Sequence, residues 1–220
     1  MTSAAKLVGL DLSPRTVFCI GRNYAEHARE LGNAVPSEPV VFLKPTSALC
    51  GEGSLIRLPA GSVRVDHEVE VVLAIGIGGK SIPESQALAH VAGYAVGIDV
   101  TWRDQQDHAK QKGLPWTLAK GLDTFAPVSG FVPASQVGNP LELPFRLHVN
   151  GSLKQEGSTR GMLFSIPFLI AYLSSRFTLA PGDLIFTGTP PGVGPIVSGD
   201  RLEALLGEGL ARLSVGVTSS

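Results

Sequence analysis

The run HEVEVVLAIG, from His67 to Gly76, is the stretch of sequence that decides the fold. If it is a β-strand, alternation places Glu68 and Glu70 on one face with Val72 and Ala74, and four aliphatic side chains on the other face. A strand of this composition is mostly buried, so two carboxylates at its entrance are costly unless a cation compensates them. The run therefore predicts a divalent-metal site, with salt bridges at a sheet edge as the alternative.

Short strand-like runs recur on both sides of this stretch and indicate a mainly β fold. Each is rich in Val, Ile, Leu or Phe and is bounded by turn residues, and they cover 16–20, 40–43, 68–75, 93–100, 145–149, 183–187 and 210–217. Asn150-Gly151 is a hairpin signal. Helices are predicted only over 23–31, 83–91 and 165–175. Because strands and helices do not alternate, we predict an α+β, mainly β fold with a few short helices rather than a Rossmann-like one.

Length and composition favour one globular domain over residues 1–220, with 44% hydrophobic residues and a net charge of −1. No segment concentrates Lys and Arg, so we expect no nucleic-acid partner. The apolar runs fall short of the roughly 20 residues that span a bilayer, and the first residues do not resemble a secretion signal. We therefore expect no membrane association and a cytoplasmic location. Cys19 and Cys50 lack CxxC spacing and are expected to be reduced thiols.

Asp99 is the candidate third metal ligand. It ends the apolar run GYAVGID and precedes the polar stretch VTWRDQQDHAKQKG. Three carboxylates without a nearby Cys or a pair of His residues favour a hard cation, Mg²⁺ or Mn²⁺, with Ca²⁺ as a further candidate.

The segment GRNYAEHAREL carries a candidate general base. His27 and Glu30 are three residues apart and would be neighbours on one face of a helix. A carboxylate beside an imidazole orients it for deprotonating water, whereas an ordinary ion pair on a solvated helix is the alternative. Arg22, just before this segment, is suited to pairing with a substrate carboxylate.

Polar residues in three later segments are candidates for substrate contact. Lys120 lies among apolar residues in PWTLAKGLDTFAPVS, so it either reaches solvent or is held inside a site. Arg103 and Gln106 follow Asp99 and would face the same cavity if that stretch is helical. Thr189 lies in FTGTPPGVGP, where glycines permit close approach of a ligand, although a tight strand connection is an equal alternative. The spacing of this loop does not support a nucleotide P-loop.

Taken in order, these motifs resemble the fumarylacetoacetate hydrolase family, in its short branch of acylpyruvate hydrolases and related oxaloacetate-processing enzymes. The resemblance runs through GRNYAEHAREL, FLKPTSAL, HEVEVVLAIG, GYAVGIDVTWRDQQ, GLPWTLAKGLDTFAPVS, LHVNGSLKQEGSTRGMLFS and TLAPGDLIFTGTPPGVGP. It implies a mixed β-roll or β-sandwich with a metal at its mouth, usually as a homodimer.

The resemblance also implies a role for each candidate residue by its position in the motifs. The implied metal ligands are Glu68, Glu70 and Asp99; the implied catalytic residues are His27, Glu30 and Lys120; the implied substrate contacts are Arg22, Arg103, Gln106 and Thr189.

The implied activity is metal-dependent hydrolysis of the C–C bond of 2,4-diketo acids, acylpyruvates such as fumarylpyruvate, to pyruvate and a carboxylic acid. The same 2-oxo acid head would serve a 2-hydroxyhepta-2,4-diene-1,7-dioate isomerase or decarboxylase, or an oxaloacetate decarboxylase or tautomerase. Hydrolysis is favoured because the pair His27 and Glu30 suits the activation of water. A catalytically idle, metal-stabilised binding protein is the alternative from a different class, and the presence of Lys120 and His27 beside three ligands argues against it.

Overall fold

The computed structural model of the chain describes residues 6–25 and 35–219, and β-strands in two large sheets dominate it. The first sheet has six strands and is mixed. In spatial order they are β10 (Val132–Pro133), β7 (Val91–Ile98), β6 (Val69–Ile75), β13 (Leu184–Phe186), β1 (Val17–Gly21) and β2 (Val40–Lys44). Within this sheet β1 and β13 are parallel, and the other neighbouring pairs are antiparallel.

The second large sheet has five strands. In spatial order they are β12 (Ser152–Ser158), β11 (Pro144–Val149), β15 (Arg201–Leu206), β16 (Ala211–Ser219) and β4 (Leu55–Leu58). Two small sheets consist of β14 (Gly194–Pro195), β5 (Val65–His67) and β8 (Thr101–Trp102), and of β3 (Leu49–Cys50) and β9 (Ala126–Pro127). The predicted hairpin is confirmed: β11 and β12 are joined at Asn150 and Gly151, which have φ angles of 52° and 78°.

Within the described residues the helices are short. They are α1 (Glu84–Ala87), α2 (Arg103–Lys112), α3 (Thr117–Lys120) and α4 (Ile166–Arg176), with 3₁₀ turns at Thr46–Ala48, Leu88–His90, Ala134–Gln136 and Thr159–Gly161. The α4 helix confirms the helix predicted over 165–175, since the Ser165 hydroxyl caps it by accepting the N–H of Phe168. The α2 helix ends where Gly113 adopts a left-handed φ of 65°. Of the helix predicted over 23–31, residues 26–31 lie outside the described residues.

The β6 strand is buried on both faces, and its alternation divides the core in two. Val69, Val71, Leu73 and Ile75 join the larger cluster of buried side chains, which also contains Leu147 and others from the five-stranded sheet. Val72 and Ala74 join a second cluster on the opposite face. The predicted two-faced burial is confirmed, and so is the α+β, mainly β fold class.

One detail of the predicted strand is wrong. The strand predicted over 68–75 begins at Val69, and Glu68 lies between β5 and β6. The reason is topological: β5 pairs with β14 and β8, whereas β6 pairs with β13 and β7, so the chain passes from one sheet to another at Glu68. Among the described residues, no helix is both long enough and apolar enough to cross a membrane.

Candidate metal site

Three carboxylates meet where β6 begins and β7 ends. Glu70 is the second residue of β6, Glu68 directly precedes that strand, and Asp99 directly follows β7. Antiparallel pairing sets Val69 opposite Ile98, and the Asp99 N–H donates to the Glu68 carbonyl at 2.8 Å. One oxygen from each of the three carboxylates lies within 4.8 Å of the others, and all three residues are buried. The structure thus brings together the three residues that the sequence predicts as metal ligands.

Lys120, the last residue of α3, lies against two of these carboxylates. Its Nζ donates to Glu68 Oε2 at 2.8 Å, to Asp99 Oδ2 at 2.6 Å and to the Thr101 hydroxyl at 2.5 Å. Burial would lower the pKa of Lys120, but the charges of Asp99 and Glu68 outweigh burial, and the pKa is raised. The ammonium is therefore held inside the site and does not reach solvent.

A second buried lysine, Lys44 at the end of β2, lies beside Asp99 without donating a hydrogen bond to its buried Oδ1. Its Nζ donates to the backbone carbonyls of Val100 at 3.2 Å and Phe125 at 2.8 Å, and also to that of Lys120. These three bonds use all three protons of an ammonium group. Asp99 Oδ1 lies 2.7 Å from Lys44 Nζ and is attracted by its charge, but it accepts no hydrogen bond.

That unbonded oxygen provides a test of whether the site fits a metal ion. Among the buried side-chain polar atoms of the described residues, Asp99 Oδ1 is the one without a hydrogen bond. Buried polar atoms normally have a hydrogen-bond partner. A carboxylate oxygen that accepts no hydrogen bond and lies beside two other carboxylates has the chemistry of a ligand for a hard cation. The donor set therefore fits Mg²⁺ or Mn²⁺, with Glu68, Glu70 and Asp99 as the residues that could hold it.

Glu70 is almost completely buried. Burial, and then the charge of Asp99, raise the pKa of Glu70 well above its ordinary value. The N–H of Gly188 acts in the opposite direction, since it donates to Glu70 Oε2 at 2.6 Å. A cation bound beside Glu70 would favour its ionised form.

Arg103, the first residue of α2, closes another side of the site. Its guanidinium donates to Asp66 Oδ2 at 2.8 Å, to Glu68 Oε1 at 2.6 Å and to Gln106 Oε1 at 2.8 Å. Burial would lower the pKa of Arg103, but Glu68 and Asp66 outweigh it and raise the pKa. Arg103 and Gln106 lie on one helix and contact each other, and their facing a cavity shared with Asp99 stays a prediction.

Among the described residues around the site, buried negative charges outnumber buried positive ones. Four buried carboxylates face three buried cations; the carboxylates are Asp66, Glu68, Glu70 and Asp99, and the cations are Lys44, Arg103 and Lys120. A divalent cation would reverse this excess and leave a positive charge to attract an anionic substrate.

The remaining predicted residues are placed as follows. Thr189 is buried, and its hydroxyl donates to the Val69 carbonyl at 2.8 Å, so that proton is committed to the backbone. Arg22 is half-buried just after β1 and has a left-handed φ of 59°. His27 and Glu30 lie outside the described residues.

Several residues of the site were missed by reasoning from the sequence. Lys44 ends the apolar run VVFL, and that context was a usable signal for a buried charge. Asp66 lies immediately before His67, the first residue of the run HEVEVVLAIG. Gln155 and the Gly188 N–H carry no local signal, because their roles depend on contacts between segments far apart in the sequence.

A cavity of about 520 Å³ lies beside the loop that follows Thr189, lined by Tyr24, Pro190 and Arg160 among others. None of the three carboxylates lines it. It is therefore distinct from the candidate metal site.

Known proteins resemble this chain over nearly its whole length. The family model described as fumarylacetoacetate (FAA) hydrolase C-terminal matches residues 16–218. Oxaloacetate tautomerase FAHD1, mitochondrial, of Mus musculus is 50% identical over 190 residues, which cover 86% of this chain and 86% of the relative.

Solved structures of this family also resemble the chain. Fumarylpyruvate hydrolase from Pseudomonas aeruginosa, in complex with Mn²⁺ and pyruvate, matches with a TM-score of 0.93 and 40% identity, covering 100% of this chain and 98% of that one. For 2-hydroxyhepta-2,4-diene-1,7-dioate isomerase from Mycobacterium marinum the TM-score is 0.83 and the identity 38%, covering 95% of this chain and 76% of that one.

The chain belongs to the fumarylacetoacetate hydrolase family, a family of enzymes. The resemblance to its short branch is confirmed. The relatives carry out different reactions, as the names hydrolase, tautomerase and isomerase show.

Proposed function

We propose that this protein is a divalent-metal-dependent enzyme that hydrolyses the C–C bond of acylpyruvates, giving pyruvate and a carboxylic acid. The observation that carries the proposal is the buried group of Glu68, Glu70 and Asp99 with an unbonded oxygen on Asp99. The Mn²⁺ and pyruvate bound to the fumarylpyruvate hydrolase of Pseudomonas aeruginosa support the choice of cation and of substrate head group.

Glu68, Glu70 and Asp99 would hold the cation, Mg²⁺ or Mn²⁺. When bound, such an ion supplies Lewis-acid stabilisation of the negative charge that develops on the oxygens of a 2-oxo acid. Other residues of the chain would orient the substrate and neutralise its charge.

We assign Lys120 and Arg103 to the neutralisation of a substrate anion. Both are buried, and both contact Glu68, so their positions are fixed relative to the ligands. One preorganised donor of this kind is worth about 3 kcal/mol of transition-state stabilisation. Gln106 keeps its amide N–H groups available, because its contact with Arg103 uses the amide oxygen.

Hydrolysis further requires a base that deprotonates water. We assign this role to His27, oriented by Glu30, on the sequence pattern described above. Water would then attack the 4-carbonyl carbon, and the bond between C3 and C4 would break with its electron pair remaining on the pyruvate fragment. C3 of that fragment would take up the proton removed from water, which gives pyruvate and a carboxylic acid. Arg22 is assigned to the substrate carboxylate. Thr189 would meet a ligand as an acceptor, since its proton goes to Val69.

A second candidate is keto–enol tautomerisation of oxaloacetate. It is favoured by the 50% identity to the oxaloacetate tautomerase of Mus musculus. Tautomerisation needs proton transfer next to the same 2-oxo acid head, without attack by water. Like tautomerisation, isomerisation of 2-hydroxyhepta-2,4-diene-1,7-dioate and decarboxylation of oxaloacetate both require a stabilised enolate of the 2-oxo acid.

One screen tests the proposal. Purified protein with Mg²⁺ or Mn²⁺, and with EDTA as the control, is assayed on acetylpyruvate, fumarylpyruvate, oxaloacetate and 2-hydroxyhepta-2,4-diene-1,7-dioate. We expect metal-dependent release of equimolar pyruvate and carboxylic acid from an acylpyruvate. Decay of the oxaloacetate enol without CO₂ release, and with acylpyruvates intact, would establish the second candidate. Absence of metal-dependent turnover on all four compounds would overturn the proposal.

The assignments of one domain over residues 1–220, a homodimer, a cytoplasmic location and partners limited to a small 2-oxo acid remain proposals. Light scattering tests the dimer directly.

A further inference from the structure

Gln155 is a buried amide whose hydrogen-bonding capacity is completely used. It lies on β12, the edge strand of the five-stranded sheet, and is 1% exposed. Its Oε1 accepts the Val69 N–H at 3.0 Å and lies 2.9 Å from His67 Nδ1. Its Nε2 donates to the Thr189 hydroxyl at 2.8 Å and to the Pro190 carbonyl at 3.0 Å.

The orientation of this amide is determined by its partners. The Val69 N–H can only donate and the Pro190 carbonyl can only accept, so exchanging the amide oxygen and nitrogen would lose both bonds. The His67 ring nitrogen that faces Oε1 must therefore carry a proton. The Gln155 side chain is held in one conformation by four contacts.

Three of these groups close a ring of hydrogen bonds. Gln155 accepts from the Val69 N–H, the Val69 carbonyl accepts from the Thr189 hydroxyl, and that hydroxyl accepts from Gln155. Each bond orients the next, so the ring fixes Thr189 relative to the first residue of β6.

The ring joins the two backbone segments that lie next to Glu68 and Glu70. His67 and Val69 are the residues on either side of Glu68 in the sequence. Thr189 follows Gly188, whose N–H donates to Glu70 at 2.6 Å. A shift of either segment would move a candidate ligand or remove its hydrogen bond.

We propose that Gln155 is a positioning residue that fixes the spacing of Glu68 and Glu70 for metal binding, by joining the β5–β6 junction to the loop after β13. This proposal rests on the proposed metal site. Residues that orient metal ligands from outside the ligand set commonly change metal affinity by about 10–100-fold when they are replaced.

The test is the affinity for Mn²⁺, measured by calorimetry on the full chain without substrate. Gln155→Met removes all four contacts at similar volume. Gln155→Glu keeps both contacts of Oε1 but cannot donate to Thr189 and Pro190. The matched control is Ser174→Ala, which removes a buried hydroxyl that bonds the Ile82 N–H and the Ala171 carbonyl on α4. Thermal unfolding with EDTA measures the stability of each variant.

We expect Gln155→Met to weaken Mn²⁺ binding at least tenfold and Gln155→Glu to weaken it less. Ser174→Ala should leave Mn²⁺ binding unchanged, although its loss of stability is comparable to that of the Gln155 variants. Wild-type affinity in either folded Gln155 variant would overturn the proposal. An equal loss in Ser174→Ala would also overturn it, because affinity would then follow stability alone. If Gln155→Met does not fold, the Mn²⁺ affinity of Gln155→Glu decides the test. If neither variant folds, Gln155 is required for folding and the positioning role is overturned.

Failure of the proposed function would look different. If the wild-type protein binds no Mn²⁺, the metal site itself is wrong. If the wild type binds Mn²⁺ and the folded Gln155 variants bind it equally well, only the positioning role is wrong.

Discussion

Replacing Lys120 with Met should destabilise the metal-free protein and make it more responsive to metal. The substitution removes an ammonium that contacts Glu68 at 2.8 Å and Asp99 at 2.6 Å. Removing one partner of a buried ion pair costs about 3–5 kcal/mol. Glu68 keeps Arg103 at 2.6 Å and Asp99 keeps Lys44 at 2.7 Å, so we expect the lower value, about 3 kcal/mol. For a chain of this size, each kcal/mol lowers Tm by about 2–4 °C, which gives a total of about 6–12 °C.

Bound Mn²⁺ should offset part of the stability that Lys120→Met loses. In the wild type, Lys120 places a positive charge on two of the three proposed ligands, and that charge opposes a dication. Without it we expect Mn²⁺ to bind at least tenfold more tightly, a gain of about 1.4 kcal/mol. In excess Mn²⁺ the stability deficit of Lys120→Met should therefore shrink to about half its value in EDTA. Turnover of a 2-oxo acid should nevertheless be lost, because Lys120 neutralises developing charge.

The assay is urea unfolding of wild type and variant, each in EDTA and in saturating Mn²⁺. Lys112→Met, an exposed lysine at the end of α2, is the control and should change neither stability nor the response to Mn²⁺. A variant that gains less from Mn²⁺ than the wild type, or nothing, would refute the reasoning.

Three further predictions follow from individual residues. Asp99→Ala should abolish turnover and Mn²⁺ binding while the protein still folds, and near-wild-type turnover in Mg²⁺ would contradict its role as a ligand. His27→Ala should keep Mn²⁺ affinity in calorimetry but lose acylpyruvate hydrolysis; unchanged cleavage would show that His27 is not the base. Burial raises the pKa of Cys50 from 9.0 to about 11, so its thiol should react with Ellman's reagent more slowly in the folded protein than after unfolding. The contribution of Cys50 to stability should be complete below pH 9 and should fall as the pH rises through about 11, which urea unfolding of Cys50→Ser against wild type measures.

Local patterns were sufficient to predict the fold class. Alternation in HEVEVVLAIG predicted a strand buried on both faces, and Val71 and Val72 indeed belong to different core clusters. Asn150-Gly151 predicted a hairpin because that turn requires positive φ at two successive residues. Such features succeed because the residues that determine them are neighbours in the sequence.

Contacts between distant segments were not predictable in the same way. The break at Glu68 depends on which strands pair with β5 and which with β6, and no local pattern contains that information. Lys44 reaches Asp99 across 55 positions of sequence, and its role depends on carbonyls supplied by two other loops. Gln155 contacts Val69 from another sheet. The carboxylates were predictable because buried charge stands out in an apolar strand, whereas an amide does not.

The most direct test of the central claim is the crystal structure of the protein soaked with Mn²⁺ and oxalate, with the metal located by its anomalous signal. We predict one Mn²⁺ bound by carboxylate oxygens of Glu68, Glu70 and Asp99, with oxalate on its remaining positions. An anomalous map without a peak between these three side chains, at a Mn²⁺ concentration that supports turnover, would contradict the account.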